Sequence, residues 1–483
     1  MFKLPDLNKF EGLNQTMLFN SLIFLLFGSV FFLLSKMLGK RVKARLLWLT
    51  IASFFFYGWW DWRFIFLIVF SGLVDYFAAL GMVRFPKQKK FLFVLSILAN
   101  VGSLSVFKYS GFIASNIDAL FGLSGSLSLL ANTPDFFLIT PVGISFYTFQ
   151  SMSYTFDVYR NKLKPTKGLV HFFAYLSMFP QLVAGPIVRA KTMLPQMLKV
   201  PSVSKEQRWA GFQLVVRGYF KKMVIADNLA PLVVAAFSSP ELNSSSLFWW
   251  GAIIAFAFQI YCDFAGYSDI ARGLARWMGY DFPDNFNHPY ISTSMRDFWA
   301  RWHISLSTWF RDYLYIPLGG NRISKVRTHV NLWITMLVSG LWHGAAWTFV
   351  VWGALHAMFS SIERITQWPE RLMKNRFLRL IAWLLVTIQV LVAWVFFRAG
   401  SIAQAWDIVK IMFSFKGGFN LGWGLNGTVF IGLMVLRELY VALGFDKKIK
   451  MKNPYVEMIF YAIVIAAIIF FRGEGSEFIY FQF

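Results

Sequence analysis

Two histidines stand in sequence settings that could support acid–base chemistry. His343 lies in GLWHGAAW (340–347), within an apolar stretch from Asn331 to Ser360 where an ionisable side chain is costly and often functional. His303 lies in RWHISLS (301–307), among tryptophans at helical spacing. A neutral imidazole can take a proton from a hydroxyl or thiol near pH 7, and burial keeps it neutral. His343 could therefore activate an alcohol for attack on an acyl thioester.

Each histidine also has a structural interpretation. His343 could bond a backbone carbonyl at a bend, and the residues alone weigh this equally with catalysis. For His303, the pattern alone favours an ordinary histidine on an interfacial helix. His356 follows His343 at a spacing of about 220° around a continuous helix, so the pattern does not indicate shared chemistry.

Metal and nucleic-acid chemistry find little support in the sequence. None of the six histidines forms a close ligand pair with another histidine or with Cys262, the single cysteine. The formal net charge of +23 could suggest nucleic acid, but the basic residues fall in short loops between apolar runs, as positive-inside topology requires. We therefore predict no metal and no nucleic-acid partner, and we expect membrane lipid to surround the chain.

The composition identifies the class of protein. Of 483 residues, 57% are hydrophobic and 15% are charged, and the mean hydropathy is +0.53. A soluble domain carries about 25% charged residues. Apolar runs such as 17–35, 211–237 and 247–271 reach the length of a membrane span. The sequence predicts an all-α polytopic membrane protein with about ten to twelve hydrophobic segments of spanning length. Residues 1–16 are predicted to form an N-terminal interfacial extension, and residues 17–483 a single transmembrane domain.

Charge in the loops predicts the element that carries His343. The basic loops 321–329 and 363–376 are both predicted to be cytoplasmic, which leaves only 330–362 between them. Two full spans and a turn do not fit in that length. This stretch is therefore predicted to be a short or re-entrant hairpin, with His343 facing a polar cavity.

The segment before this hairpin is predicted to be one amphipathic helix within 294–322. Its aromatic residues recur at helical spacing with His303 among them, and PLGGN (317–321) ends it. Upstream, Asp263 and Asp269 lie in an apolar segment and are not expected to face lipid. The favoured interpretation is pairing with Arg272 or Arg276, and the alternative is a role in lining a cavity or orienting a catalytic group.

Five stretches together resemble the membrane-bound O-acyltransferase (MBOAT) family, in particular the bacterial polysaccharide-acetylating branch that includes the alginate O-acetyltransferase membrane subunits. The resemblance covers most of the chain from Met17 onward. The stretches are PVGISFYTFQSMSYTFDVYR (141–160), FPQLVAGPIVRA (179–190), YCDFAGYSDIARGLARWMGYDFPDNFNHPYI (261–291), DFWARWHISLSTWFRDYLYIPLGGNR (297–322) and VSGLWHGAAWTFVVWGALHA (338–357).

The resemblance implies a fold and a pair of site residues. The fold would be a ring of tilted helices with re-entrant segments around a central funnel and tunnel. His343 matches the catalytic histidine of the family, and His303 matches its second characteristic histidine.

The resemblance also implies a reaction and a location. Acetyl-CoA or another acyl thioester, on an acyl carrier in some members, would be the donor at the cytoplasmic side of a bacterial inner membrane. A polysaccharide outside would be the acceptor, reached through a periplasmic acetyl-transfer protein. Two alternatives stay open: D-alanyl transfer from a carrier protein to teichoic acid, and transport of a polysaccharide or lipid. The lack of an internal repeat disfavours transport.

Overall fold

The computed structural model describes residues 17–183, 185–238, 245–417, 424–445, 453–476 and 478–479. The predicted extension, residues 1–16, lies outside these ranges. Within them the regular secondary structure is helical and contains no β-strand. The prediction of an all-α protein is confirmed.

Twenty-two α-helices account for most of the described chain. They are α1 Leu22–Met37, α2 Val42–Asp61, α3 Ile65–Arg84, α4 Lys89–Lys108, α5 Ser110–Phe121, α6 Asp135–Leu138, α7 Ile144–Tyr159, α8 Leu169–Leu176, α9 Phe179–Leu182, α10 Ala190–Gln196, α11 Lys205–Tyr219, α12 Asp227–Ser238, α13 Ser246–Met278, α14 Met295–Arg301, α15 Ile304–Phe310, α16 Lys325–His343, α17 Trp347–Thr366, α18 Trp368–Leu372, α19 Arg376–Arg398, α20 Ile402–Met412, α21 Gly424–Ala442 and α22 Pro454–Phe471. Two π-helical segments, Phe220–Ala226 and Arg311–Tyr315, follow α11 and α15.

Five helical segments of the described chain are long and apolar enough to cross a membrane. They are Val42–Arg84, Pro86–Lys108, Ser246–Met278, Arg376–Arg398 and Pro454–Phe471. Large apolar side chains are exposed along several of them, as expected where lipid is the solvent. The prediction of a polytopic membrane protein is confirmed.

The chain divides into two compact units by the density of its contacts. One contains Met1–Phe212 and Ile270–Phe282, and the other contains Gln213–Asp269 and Pro283–Phe483. This division concerns contact density, and the prediction of a single transmembrane domain over 17–483 stays a prediction.

In the first unit, helices α3, α4 and α7 pack around a buried carboxylate. Asp75 accepts hydrogen bonds from the hydroxyls of Ser96 and Ser151, and Asn100 Nδ2 donates to it at 3.0 Å. A carboxylate surrounded by donors is tolerated at depth because its oxygens are satisfied. This cluster ties three helices together.

In the second unit, α16 and α17 form a tight antiparallel hairpin joined by Gly344–Ala346. Glycine allows the two backbones to touch. A Cβ on Gly340 would lie 2.2 Å from the carbonyl oxygen of Phe349, and a Cβ on Gly353 would lie 2.4 Å from that of Met336. A hairpin forms here as predicted, but its helices contain 19 and 20 residues and extend beyond 330–362 into the basic loops, so the expectation that two helices of spanning length do not fit is wrong. Its shallow depth stays a prediction.

The predicted single amphipathic helix within 294–322 is wrong at its centre. Helix α14 ends at Arg301, Trp302 is extended, and His303 has a φ of +40° before α15 begins. A residue other than glycine rarely adopts this left-handed backbone conformation, so other contacts must stabilise the break. They come from the preceding loop: Asn287 N donates to Arg301 O at 3.0 Å, and Ile304 N donates to Asn285 O at 2.9 Å.

Candidate active site

His343 is the last residue of α16 and is buried, with 3% of its surface exposed. Rings contact it from three elements. Its centroid lies 5.0 Å from that of Trp342, 5.0 Å from that of Trp352 on α17 and 5.3 Å from that of Phe397 on α19, all nearly perpendicular. These edge-to-face contacts fix the imidazole by packing. The polar cavity expected beside His343 stays a prediction.

His303 is fully buried and held by hydrogen bonds. Its Nδ1 lies 3.1 Å from Asn285 Oδ1. The backbone N–H of Ser305 also donates to Asn285 Oδ1, at 3.3 Å, which identifies that atom as the oxygen. Because an amide oxygen only accepts, Nδ1 carries the proton and the basic lone pair is on Nε2. Burial lowers the pKa of His303 to about 3, so its imidazole is neutral at physiological pH.

Asn285 is a residue that the sequence interpretation missed. Besides binding His303, its Oδ1 accepts from Ser305 Oγ at 2.8 Å, and its Nδ2 donates to Ser268 Oγ on α13 at 3.0 Å. One buried amide thus connects the break in the helix to α13. No local pattern marks it, because its partners lie 17 to 20 positions away in the chain.

Trp342 lies between the two predicted site residues. Its ring centroid is 5.0 Å from that of His343 and 6.1 Å from that of His303. The structure therefore brings both histidines into one aromatic cluster of the second unit.

His356 lies in the same cluster, which the helical angle did not indicate. Trp352 contacts it at 4.6 Å between centroids and contacts His343 at 5.0 Å. Within the described chain, neither ring nitrogen of His356 has a hydrogen-bond partner. It is the natural control for His343, since both are buried histidines against one indole.

The two carboxylates of α13 are paired, as the favoured interpretation held, but with cations that it missed. Lys222 Nζ lies 2.8 Å from Asp263 and 2.8 Å from Asp227. Asp269 lies 3.0 Å from Arg217 and 2.8 Å from Lys221. The expected partner Arg276 lies 3.6 Å from Asp281 instead. Lys222 stood in an apolar run of the sequence, which could have marked it as the partner of a buried acid.

This ion network anchors the chain beyond α22 beside the cluster. Ile479 N donates to Asp263 at 2.7 Å, and Lys222 Nζ donates to Ser476 O at 2.9 Å. These bonds hold the ring of Phe478 beside that of Phe264, with 5.7 Å between the two ring centroids. The centroid of Phe264 in turn lies 4.6 Å from that of His303. The ions thus position aromatic rings around the candidate site.

Metal chemistry finds no site in the described residues, because no group of three or more His, Cys, Asp or Glu side chains could hold an ion there. The cluster places imidazoles in an apolar environment, and an imidazole is a side chain that can transfer protons near neutral pH.

Comparison with known proteins identifies the family to which the chain is similar. A profile of MBOAT, the membrane-bound O-acyltransferase family, matches residues 15–403. A Pseudomonas aeruginosa protein named probable alginate O-acetylase AlgI is 40% identical over 442 residues, covering 89% of this chain and 81% of that protein. The peptidoglycan O-acetyltransferase of Helicobacter pylori is 32% identical, covering 96% and 90%. The teichoic acid D-alanyltransferase of Streptococcus thermophilus is 30% identical but covers only 46% and 56%.

Proposed function

Because the chain belongs to the membrane-bound O-acyltransferase family, we propose that it moves an acetyl group from a cytoplasmic acyl thioester to hydroxyl groups of an extracytoplasmic polysaccharide. Membership of an acyltransferase family disfavours the alternative that the chain is a transporter. The alignments to two relatives named for O-acetyl transfer cover more than four fifths of those proteins, which favours acetyl as the transferred group.

The observation that carries the proposal is the buried imidazole of His343 at the end of the glycine hairpin. As a neutral base it takes the proton of the attacking hydroxyl while the oxygen attacks the thioester carbonyl. The C–O bond forms, the C–S bond breaks, and the departing sulfur receives the proton. Apolar rings exclude water, which favours transfer to the acceptor over hydrolysis of the thioester.

His303 has a supporting role in this proposal. Asn285 fixes its tautomer, so the imidazole presents one defined basic nitrogen. It would place the acceptor or share in the proton transfer. A periplasmic acetyl-transfer protein would complete delivery to the glycan, and an acyl carrier is a second form in which the donor could arrive. The proposed location is the bacterial cytoplasmic membrane, because that membrane faces both the donor and the acceptor.

The test is chemical analysis of the cell-surface glycans. Acetyl esters released by mild base are measured from secreted polysaccharide and from peptidoglycan, in a strain lacking this protein and in that strain carrying the gene again. We expect one glycan to lose its acetyl esters and regain them. Unchanged acetylation of both glycans, together with loss of D-alanyl esters, would support the D-alanyl alternative.

A second test identifies the donor. Inverted membrane vesicles expose the cytoplasmic face, and labelled acetyl-CoA is added to them with and without the protein. Protein-dependent release of free thiol is expected. Vesicles that consume only an acylated carrier protein would identify that carrier as the donor.

A further inference from the structure

A partly open cavity of about 420 Å³ lies in the first unit, separate in sequence from the two histidines. It is lined by the C-terminal half of α1, the first half of α2, the loop before α11 together with the first turn of α11, and the end of α13. Positive-inside topology places these ends at the cytoplasmic face. The volume is that of a small-molecule site.

Three cations from three segments line this cavity: Lys36, Arg45 and Arg208. No acidic side chain is among the lining residues. Within the described part of the chain, none of the three has a carboxylate partner within ion-pair distance. Charges that only direct topology need not converge on one cavity, and these do. Three cations that line one cavity are suited to an anion with several acceptor oxygens, such as a phosphate group.

The wall of the cavity is built by specific packing. Trp277 Nε1 donates to Arg208 O at 3.0 Å, and the ring of Trp277 lies 6.0 Å from that of Phe32, edge to face. Gly211 makes room for the indole, since a Cβ there would lie 2.6 Å from Trp277 Cδ1. The guanidinium of Arg208 is also tied back, donating to Val203 O at 3.2 Å. The site is therefore largely preformed.

The surroundings select among phosphate compounds. On α1 and α2, next to the cations, Leu33, Met37 and Leu47 are exposed, at 60%, 73% and 48% of their surfaces. Such apolar surface suits acyl chains, while Trp277 and Tyr280 are residue types that favour the headgroup level. Basic pockets between helices at the cytoplasmic side are suited to anionic headgroups. We infer that this cavity binds the phosphate headgroup of an anionic phospholipid.

The test measures lipid binding and does not depend on acyl transfer. Purified protein is incubated with phosphatidylglycerol or with zwitterionic phosphatidylcholine, and bound lipid is quantified by native mass spectrometry. The site variant is Lys36→Gln/Arg45→Gln/Arg208→Gln. The matched control is Lys40→Gln/Lys43→Gln/Lys205→Gln, which removes the same charge from neighbouring positions in the sequence that do not line the cavity.

We expect the site variant to bind phosphatidylglycerol about tenfold more weakly or worse, because each lost cation removes a charged hydrogen bond. The control should bind as the unchanged protein does, and phosphatidylcholine should bind weakly to all three. Equal losses in both triple variants would overturn the inference, since net charge alone would then explain binding.

Two further arms keep the inference falsifiable. If the site variant is not monodisperse after purification, the single variant Arg45→Gln replaces it, with Lys43→Gln as its control. Coenzyme A and inorganic phosphate are tested as competitors. If neither competitor displaces phosphatidylglycerol, the result supports a lipid site. Tight binding of coenzyme A that Arg45→Gln abolishes, without binding of phosphatidylglycerol, would overturn the lipid assignment in favour of a soluble phosphate ligand.

Discussion

The surroundings of His343 and His303 fix an imidazole by different means. Around His343, three aromatic rings from α16, α17 and α19 pack edge to face. Around His303, Asn285 binds Nδ1 and the helix itself is broken to present the ring. Packing fixes position, whereas a hydrogen bond also fixes which nitrogen holds the proton.

This difference suggests a division of roles. A general base must gain and lose a proton during each reaction cycle, and the edge-to-face ring contacts around His343 hold the imidazole in place whichever of its nitrogens carries a proton. A ring whose tautomer is fixed by an amide is suited to orienting a partner. We therefore expect changes near His343 to act on the rate constant and changes near His303 to act on positioning.

The largest effect is expected for His343→Ala. Loss of the base should reduce the acyl-transfer rate by about 10²–10⁴, with membrane abundance unchanged. His303→Ala should reduce the acyl-transfer rate by a smaller factor than His343→Ala does. The measurement is acetyl ester formed per unit of protein in membranes of equal abundance. Equal losses in both variants would remove the proposed division of roles.

Gly340→Val tests the packing that positions His343. The added side chain would meet the carbonyl of Phe349, where even a Cβ lies at 2.2 Å, so α16 and α17 must separate. Overpacking of this kind costs about 1–3 kcal/mol. Thermal unfolding in detergent should occur at a lower temperature, and acyl transfer should fall with it. Gly432→Val is the control, because nothing lies within 4 Å of its Cβ position.

Substitution of Asn285 tests the hydrogen bond that holds His303. Asn285→Ala leaves a buried ring nitrogen unsatisfied, at a cost of about 1–3 kcal/mol. Asn285→Asp provides the sharper readout. A carboxylate beside Nδ1 favours the imidazolium, so it raises the pKa of His303 from about 3. Activity should then be lost at a higher pH on acidification than in the unchanged protein. An identical acid limb in the pH–rate profile would argue against a role for His303 in positioning.

The smallest effect is expected for Ser305→Ala. Its hydroxyl donates to Asn285 at 2.8 Å, but the amide oxygen keeps its bonds to His303 and to the Ser305 backbone. One lost hydrogen bond of this kind is worth about 0.5–1.5 kcal/mol. The rate should fall only a few-fold, measured in parallel with Asn285→Ala. A loss as large as that of Asn285→Ala would mean that the serine, rather than the amide, holds the ring.

Local signals in the sequence predicted part of this arrangement. Composition identified the membrane class, the isolated polarity of His343 marked it, and the basic loops around 330–362 predicted the hairpin. The break at His303 could not be predicted, because helical periodicity continues through it and the stabilising amide lies in the preceding loop. The partner of Asp263 was missed because Lys222 comes from another helical segment, although its position in an apolar run was a signal that could have marked it.

The central claim is that His343 is the base of an O-acyl transfer, and His356 permits its most direct test. Both are buried histidines against Trp352. Purified protein in proteoliposomes is given an acetyl thioester and a hydroxyl acceptor, and thiol release and ester formation are measured together. We expect His343→Asn to abolish both signals and His356→Asn to retain them at equal protein abundance. Retained transfer in His343→Asn, with loss in His356→Asn, would contradict the account.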